Sequence, residues 1–168
     1  GPMLHKALEQ FLTDVYWDDP DYLLVDLPPG TGDISLSLAQ FLPRSEAYIV
    51  TTPNPAAQKV AQRSAFMFQQ VNIEVKGVIE NMSWFTGDDG KHYQLFGAGG
   101  GKDLADRLEV DLIGRVPMTI PMREGSDQGR PIMAVDPANE ASQVFAQMAE
   151  WVLAHAPSKR THPELKIN

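Results

Sequence analysis

By its type and its position, the residue best suited to chemistry is an aspartate that ends an apolar run. Residues 22–26 read YLLVD, a run typical of a strand covered on both faces, and Pro28-Pro29-Gly30 follows. Carboxyl ends of parallel strands border the ligand crevice of α/β sheets, so Asp26 is expected there, where a carboxylate can hold Mg²⁺. The Gly30 amide can approach a phosphate because no side chain blocks it. A lone aspartate would more simply cap a turn, but the full string DLPPGTGD is more specific than that structural role.

The elements that must position these residues are of two kinds. In some segments the apolar residues recur at helical spacing, and in others they form the short continuous runs of strands. Helical spacing predicts an opening helix over 4–15 and a short one over 34–41. Asn54 and Pro55 predict the start of a third helix, and Asp136 and Pro137 predict the start of a last one. Short apolar runs predict four strands, at 22–26, 48–51, 75–79 and 112–116. Strands separated by helices predict an α/β fold with a doubly wound, mostly parallel sheet.

The longest stretch without a predicted element runs from 83 to 102 and is rich in glycine. Loops of this length are usually functional or disordered. A phosphate-binding loop requires GxxxxGK followed by Ser or Thr. The nearest approach is Gly99 to Asp103, where Phe96 replaces the first glycine and Asp103 the hydroxyl residue, and no apolar strand leads into it. The sequence therefore holds no such loop.

Composition excludes several classes of function. The 168 residues carry 22 acidic and 14 basic side chains, for a net charge of −8, which disfavours nucleic-acid and membrane partners. The cysteine count is zero, so this chain alone offers no thiolate for zinc or for an iron–sulfur cluster. No run of eighteen apolar residues and no secretory signal pattern occur, and we expect a cytoplasmic protein.

Several motifs together resemble the Mrp/ApbC iron–sulfur carrier proteins, members of the MinD/ParA group of deviant P-loop ATPases. They follow the family's order from about residue 1 to 151: VDLPPGTGD (25–33), VTTPNPAAQKVA (50–61), GVIENMS (77–83), FGAGGG (96–101) and GRVPMTIPMREGSDQGRPI (114–132). The resemblance implies a P-loop NTPase fold. It further implies that residues 1–155 are the C-terminal part of one such domain, without its N-terminal strand and P-loop, and that 156–168 form a flexible polar tail.

The resemblance implies roles for four residues. Asp26 resembles the Walker B carboxylate that orients Mg²⁺, and Gly30 the switch II amide near the γ-phosphate of ATP. Asn81 resembles the asparagine that reads the adenine edge, a task for which an amide has both donor and acceptor. Pro117 resembles the proline that lines the base pocket. Taken by themselves, Asn81 is as well explained as a turn residue and Pro117 as a strand terminator.

The sequence departs from the family pattern in the loop where the family usually carries CxxC. Here it contains Gly87-Asp88-Asp89-Gly90, which predicts a tight hairpin turn with Lys91 and Tyr93 beginning the return strand. In the family, cysteines of two chains are thought to bridge a cluster at this position. Asp88, Asp89 and His92 are harder donors and poor cluster ligands. We therefore expect no cluster binding by this mode unless cysteines lie upstream of this segment.

The favoured interpretation is an ATP-binding iron–sulfur cluster carrier or assembly protein, with ATP controlling switch II and the state of a homodimer, and with iron–sulfur proteins as clients. ATP and Mg²⁺ are its expected cofactors. Since the signature lysine of the P-loop is absent, we expect this chain alone to be inactive as an ATPase. Two alternatives stay open: a MinD/ParA-like positioning ATPase, and a non-catalytic dimerisation or interaction module that has lost nucleotide binding.

Overall fold

A computed structural model describes residues 2–18, 20–27 and 32–155 of the chain. Its helices are α1 (Pro2–Thr13), α2 (Gly32–Phe41), α3 (Pro55–Gln70), α4 (Gly100–Leu108), α5 (Ile120–Asp127), α6 (Ile132–Val135) and α7 (Glu140–His155). Its strands are β1 (Glu46–Thr51), β2 (Glu74–Glu80), β3 (Phe85–Thr86), β4 (His92–Tyr93) and β5 (Asp111–Arg115). None of the helices in the described part is long and apolar enough to cross a membrane.

Three strands form a parallel sheet in the order β1–β2–β5. Helices cover both of its faces. On one face Ala47 and Ile49 of β1 are buried in a core that Ala61 and Ala65 of α3 and Leu104 of α4 complete. On the other face Tyr48 of β1 meets Trp151 of α7 edge-on, with ring centroids 6.4 Å apart. The predicted doubly wound α/β fold is thus confirmed.

The start of α3 follows the sequence prediction. The Asn54 side chain accepts a hydrogen bond from the Ala56 N–H at 2.8 Å, and Pro55 occupies the first turn, where its missing N–H is not needed. The predicted hairpin is present as well: β3 pairs antiparallel with β4 across the Gly87–Gly90 turn. Within the long predicted loop the structure adds α4, which begins at Gly100.

The predicted strand over 22–26 is wrong. These residues are in no helix and no strand, and their side chains are exposed, Leu24 by 90%. An apolar run becomes a strand only where a partner satisfies its backbone groups. The edge strand β1 and residues 21–27 line the same groove and are not paired as strands.

The predicted start of the last helix is also wrong, by three residues. Helix α7 begins at Glu140, and the side chain of Asn139 accepts the Ala141 N–H at 3.0 Å. Asp136 instead follows α6, where its carbonyl accepts the Ser142 hydroxyl at 2.7 Å. Asp and Asn are both favourable N-cap residues, so the sequence alone did not show which of the two caps α7.

Candidate functional site

The candidate site lies where β2 and β5 end. The main chain holds these two ends together: the Val116 N–H donates to the Glu80 carbonyl at 2.8 Å, and the Ser83 N–H to the Val116 carbonyl at 3.0 Å. Asn81 directly follows β2 and Pro117 follows β5, so the structure brings these two predicted residues to the same edge of the sheet. The Asn81 N–H also donates to the Thr51 carbonyl at 2.8 Å, which ties the edge to β1.

The Asn81 side chain is oriented by its own loop. Its Oδ1 accepts the Met82 N–H at 2.8 Å, and Met82 has a left-handed φ of 56°. Asn81 is half-buried, whereas Pro117 is buried completely. Of the two, Asn81 is therefore the residue whose polar atoms are accessible at this edge, whereas the Pro117 side chain is not.

Asp26 and Asn81 line the same groove. The groove, about 1580 Å³ in volume, is lined by residues 21–27, by β1 and by side chains of α2, α3 and α7, and Asn81 lines it too. We call it the edge groove. Asp26 and Asn81 thus share one open space although 54 positions separate them in the sequence. Gly30, the other predicted phosphate contact, lies outside the described residues.

A buried carboxylate holds the site together, and the sequence analysis missed it. Glu80, the last residue of β2, is fully buried. Its Oε2 accepts the Gly101 N–H at 2.6 Å, and its Oε1 accepts the Ser83 hydroxyl at 2.9 Å and the Arg115 Nε at 3.0 Å. One side chain therefore joins β2, β5, the loop after Asn81 and the first turn of α4. The available signal was a charged residue closing an apolar strand, since charged side chains are almost never fully buried unless paired.

The same contacts occupy the groups that the glycine-rich turn could have offered to a phosphate. A Cβ at Gly101 would lie 2.6 Å from the Glu80 Cβ, so only glycine permits the approach. The Gly101 amide is already used by Glu80, and Lys102 forms an ion pair with Asp106 of the same helix. The structure thus agrees with the rejection of Gly99–Asp103 as a phosphate-binding loop.

The β3–β4 hairpin, at the position of the family CxxC, is fixed by polar and aromatic contacts. Glu140 of α7 accepts the Trp84 indole N–H at 3.2 Å and the Thr86 hydroxyl at 2.8 Å. The Arg115 guanidinium lies 5.5 Å from the Trp84 ring centre, and His92 stacks on the same ring at 5.1 Å. Hence His92 serves packing in this structure.

The Asp89 carboxylate serves the hairpin turn itself. Asp89 accepts the Lys91 N–H at 3.1 Å and the Tyr93 hydroxyl at 2.9 Å, and these bonds, the backbone one first, lower the pKa of the Asp89 carboxyl. Among the residues that the structure describes, no group of three or more His, Cys, Asp or Glu side chains is arranged to hold a metal ion. The hairpin therefore offers no substitute for the missing cysteines.

Fold and site together define a doubly wound α/β protein with its polar site at the carboxyl edge of a parallel sheet. Known proteins specify this class further. A family model for ParA, described as the NUBPL iron-transfer P-loop NTPase, matches residues 1–153. A curated iron–sulfur cluster carrier protein of Mycobacterium tuberculosis is 44% identical over 156 residues, covering 89% of this chain and 41% of that protein. The chain belongs to the ParA/NUBPL family of iron-transfer P-loop NTPases.

Solved structures agree with this assignment. A nucleotide-binding protein from Archaeoglobus fulgidus in complex with ADP has a TM-score of 0.70 and 32% identity, covering 85% of this chain and 58% of that one. The cell division ATPase MinD of Pyrococcus furiosus has a TM-score of 0.63 at 20% identity, covering 90% and 57%, and this likeness shows the fold alone. The chain spans less than half the length of the curated relatives that it matches.

Proposed function

We propose that this chain provides the base- and metal-binding side of an ATP site in an iron–sulfur cluster carrier. In this proposal ATP controls the conformation around Asp26 and Gly30 and the state of a homodimer. The observation that carries the proposal is that Asp26 and Asn81, distant in sequence, line one groove in a chain of this family. The proposal includes the cytoplasmic location expected from the sequence.

The chemistry of the donor set supports this assignment of roles. Mg²⁺ at nucleotide sites is held by one or two carboxylates together with phosphate oxygens, and Asp26 offers an exposed carboxylate. Asn81 offers an amide with both a donor and an acceptor for the edge of adenine, positioned by its bond to the Met82 N–H. Mg²⁺ bound there would neutralise phosphate charge. This chain's own residues would orient the base and hold the ion.

The cluster is the cargo of such a carrier, and the residues of this chain do not fit it. The sequence contains no cysteine, and soft thiolates are the ligands that clusters require. In this proposal the cluster is therefore held by cysteines outside this chain's 168 residues, and this chain contributes the nucleotide-dependent part. Anaerobic incubation of the chain with ferrous iron and sulfide should give protein without the visible absorption of a cluster. Stable cluster absorption after desalting would contradict this assignment.

Nucleotide binding is tested by titrating the ¹⁵N-labelled chain with Mg·ADP and following amide chemical shifts. We expect weak binding, with Kd of roughly 1 mM, because base and metal contacts act without a phosphate-binding loop. Shifts should concentrate around Asp26 and Asn81, and Asn81→Ala should weaken binding. Gln69→Ala, an exposed amide on α3, is the matched control. No shift at either residue, or equal shifts with Mg·GDP, would overturn the proposal.

Hydrolysis of ATP is tested separately from nucleotide binding. Phosphoryl transfer depends on positioning and charge stabilisation of the phosphates, for which P-loop proteins use a lysine on the phosphate-binding loop. We expect phosphate release from ATP with this chain to equal that of buffer. Mg²⁺-dependent turnover that is abolished by Asp26→Ala would show that the catalytic groups are present after all.

A further inference from the structure

Helix α3 has one face that points away from the sheet. The four residues of this face, spaced four, three and four positions apart, are Lys59, Arg63, Phe66 and Gln70. Each of them is exposed, and Phe66 keeps 48% of its surface accessible. The opposite face of the helix contains Ala61 and Ala65, which are buried in the core. We call the four exposed residues the α3 stripe.

The α3 stripe is separate from the edge groove. Helix α3 lines that groove with a different face, to which Val60, Ser64 and Met67 belong. A segment that filled the groove would therefore leave the stripe exposed to solvent.

The charge of this segment differs from that of the rest of the chain. The chain carries a net charge of −8, yet no Asp or Glu occurs between residues 46 and 74, and α3 contains two cations. In the part of the chain that the structure describes, neither Lys59 nor Arg63 has an ion-pair partner, whereas Lys102 of α4 and Arg123 of α5 each pair within their own helix. The stripe is therefore a local positive surface on an acidic protein.

The stability of α3 does not account for the stripe. Like charges four residues apart on a helix repel each other, so Lys59 and Arg63 weaken the helix on which they lie. A single exposed apolar side chain is ordinary on a protein surface. Beside two unpaired cations, however, Phe66 completes a set of residue types that interfaces favour, since Phe and Arg are enriched there and Arg is frequent among the residues that dominate binding.

We propose that the α3 stripe docks an acidic amphipathic helix of another protein. Carboxylates of the partner pair with Lys59 and Arg63, and an apolar partner side chain covers Phe66. From Lys59 to Gln70 the stripe is about 16 Å long, at about 1.5 Å per residue, so the matching segment is a helix of about three turns. The inference goes beyond the proposed function and requires no nucleotide.

Charge favours a polypeptide partner over a nucleic acid. Nucleic-acid binding depends on many phosphate contacts, whereas the stripe offers two cations on a chain of net charge −8. An acidic helix instead needs only a few carboxylates, all of them placed over the stripe. At about 0.15 M salt the Debye length is about 8 Å, so the acidic groups elsewhere on the chain act only weakly on a helix docked there.

A second copy of this chain does not supply the acidic helix. Among the described helices, α4 contains Lys102 and Arg107 beside its two aspartates, and α5 contains Arg123 beside its carboxylates. Helices α1 and α7 each have one exposed carboxylate, Glu9 and Glu150. None of these helices offers the run of unpaired carboxylates that two cations require.

The test titrates the intact chain into a fluorescein-labelled peptide and follows fluorescence anisotropy. The peptide has about 18 residues, a length at which an alanine-rich sequence is partly helical, with glutamates and leucines on one face and alanine and glutamine elsewhere. We expect saturable binding that weakens as NaCl is added. Lys59→Glu combined with Arg63→Glu should weaken it by at least about tenfold, and Phe66→Ser by at least about threefold, since paired charges become repulsive and apolar contact is lost.

Matched variants make the same changes elsewhere on the surface. Lys6→Glu combined with Arg107→Glu alters the net charge equally at exposed positions of α1 and α4, and Leu95→Ser removes an exposed apolar side chain. Both should bind the peptide as the parent does. The charge reversal on α3 keeps two like charges four residues apart, so the helix itself should be equally stable. Circular dichroism of each variant checks that the fold is retained.

Four outcomes would overturn the proposal. The first two are absence of saturable binding to the folded chain and equal binding of a peptide with glutamine in place of every glutamate. The third is unchanged binding by the charge-reversed α3 variant. The fourth is a different occupant: duplex DNA that binds more tightly than the peptide through the same two cations, or a dimer of the chain in light scattering that the charge reversal dissociates.

Discussion

At the scale of single residues, Glu80 has the largest structural role in the site. Its carboxylate is fully buried and accepts from a backbone amide, a hydroxyl and a guanidinium. The guanidinium partner, Arg115, is 44% exposed, so the pair is buried on one side only. Removing the carboxylate therefore leaves the Gly101 amide without its acceptor, whereas the Ser83 hydroxyl keeps its 2.9 Å bond to the backbone carbonyl of residue 80 and Arg115 can turn to water.

We predict that Glu80→Ala lowers the free energy of unfolding by about 2–4 kcal/mol, because the buried Gly101 amide loses its acceptor and a cavity opens. Urea denaturation followed by circular dichroism measures this. Glu80→Gln keeps the shape of the side chain and should cost less. Glu150→Ala, at an exposed position of α7, is the control and should stay within about 0.5 kcal/mol of the parent. A Glu80→Ala protein as stable as that control would contradict the network described here.

Tyr48 gives the chain a stability change at alkaline pH. Burial, then the neighbouring Glu46 carboxylate to which the hydroxyl donates at 3.1 Å, raise the pKa of Tyr48 from 10.0 to about 12. In the unfolded chain the phenol ionises near its ordinary pKa, so between pH 10 and about 12 the folded state binds more protons and stability falls as pH rises. Tyr48→Phe should flatten this slope in pH-dependent urea titrations, whereas Tyr16→Phe, at an 87% exposed side chain, should leave it unchanged.

At the scale of elements, the sequence patterns predicted three of the strands correctly. The apolar runs at 48–51, 75–79 and 112–116 became β1, β2 and β5 because each found partner strands and covering helices. The run at 22–26 has the same pattern and formed no strand, because strand formation depends on a partner that periodicity does not report. Helix α4 was not predicted, because the glycines in its first turn have a low helix propensity. Its position is fixed by the contact with Glu80, which the sequence pattern does not show.

Substitutions at Asn139 and Asp136 can show which of the two residues caps the start of α7. Asn139 Oδ1 accepts the Ala141 N–H, so Asn139→Ala should lower stability by about 1 kcal/mol. Asp136→Ala keeps the backbone carbonyl that accepts the Ser142 hydroxyl and should have the smaller effect. Thermal unfolding of both variants decides between them. A larger loss for Asp136→Ala would favour the helix start expected from the sequence over the one in the structure.

The approach of α4 to β2 predicts the sign of a glycine substitution. In an ordinary helix Gly→Ala stabilises by about 1 kcal/mol. At Gly101 the added Cβ would lie 2.6 Å from the Glu80 Cβ, so α4 must move and the 2.6 Å hydrogen bond from its amide must lengthen. We expect Gly101→Ala to destabilise the chain in urea. Lys102→Ala, which removes only an exposed ion pair of the same helix, should cost no more than about 0.5 kcal/mol. Stabilisation by Gly101→Ala would mean that α4 is less tightly docked than described.

At the scale of the whole molecule, the family and the edge of the sheet that carries the site were predictable, and the contacts that shape the site were not. Asp26 and Asn81 were identified by motifs whose order along the chain is diagnostic. The shared groove depends on how distant segments pack, and so do the contacts of the buried Glu80 side chain. A single sequence contains little information about such packing. Gly30 lies outside the described residues, and the ligand-binding roles of Asp26, Gly30, Asn81 and Pro117 all stay predictions.

The charge of the whole molecule yields the last prediction. With a net charge of −8 the chain repels polyanions at distances within the Debye length, about 30 Å at 0.01 M salt. DNA binding requires basic groups that release counterions from phosphates, and their contribution would be greatest at low salt. We therefore expect no mobility shift of duplex DNA by this chain at low ionic strength, with or without Mg·ATP. A shift that weakens as salt is added would instead reveal a local basic surface that outweighs the net charge, and would favour a DNA-partitioning role for this member of the family.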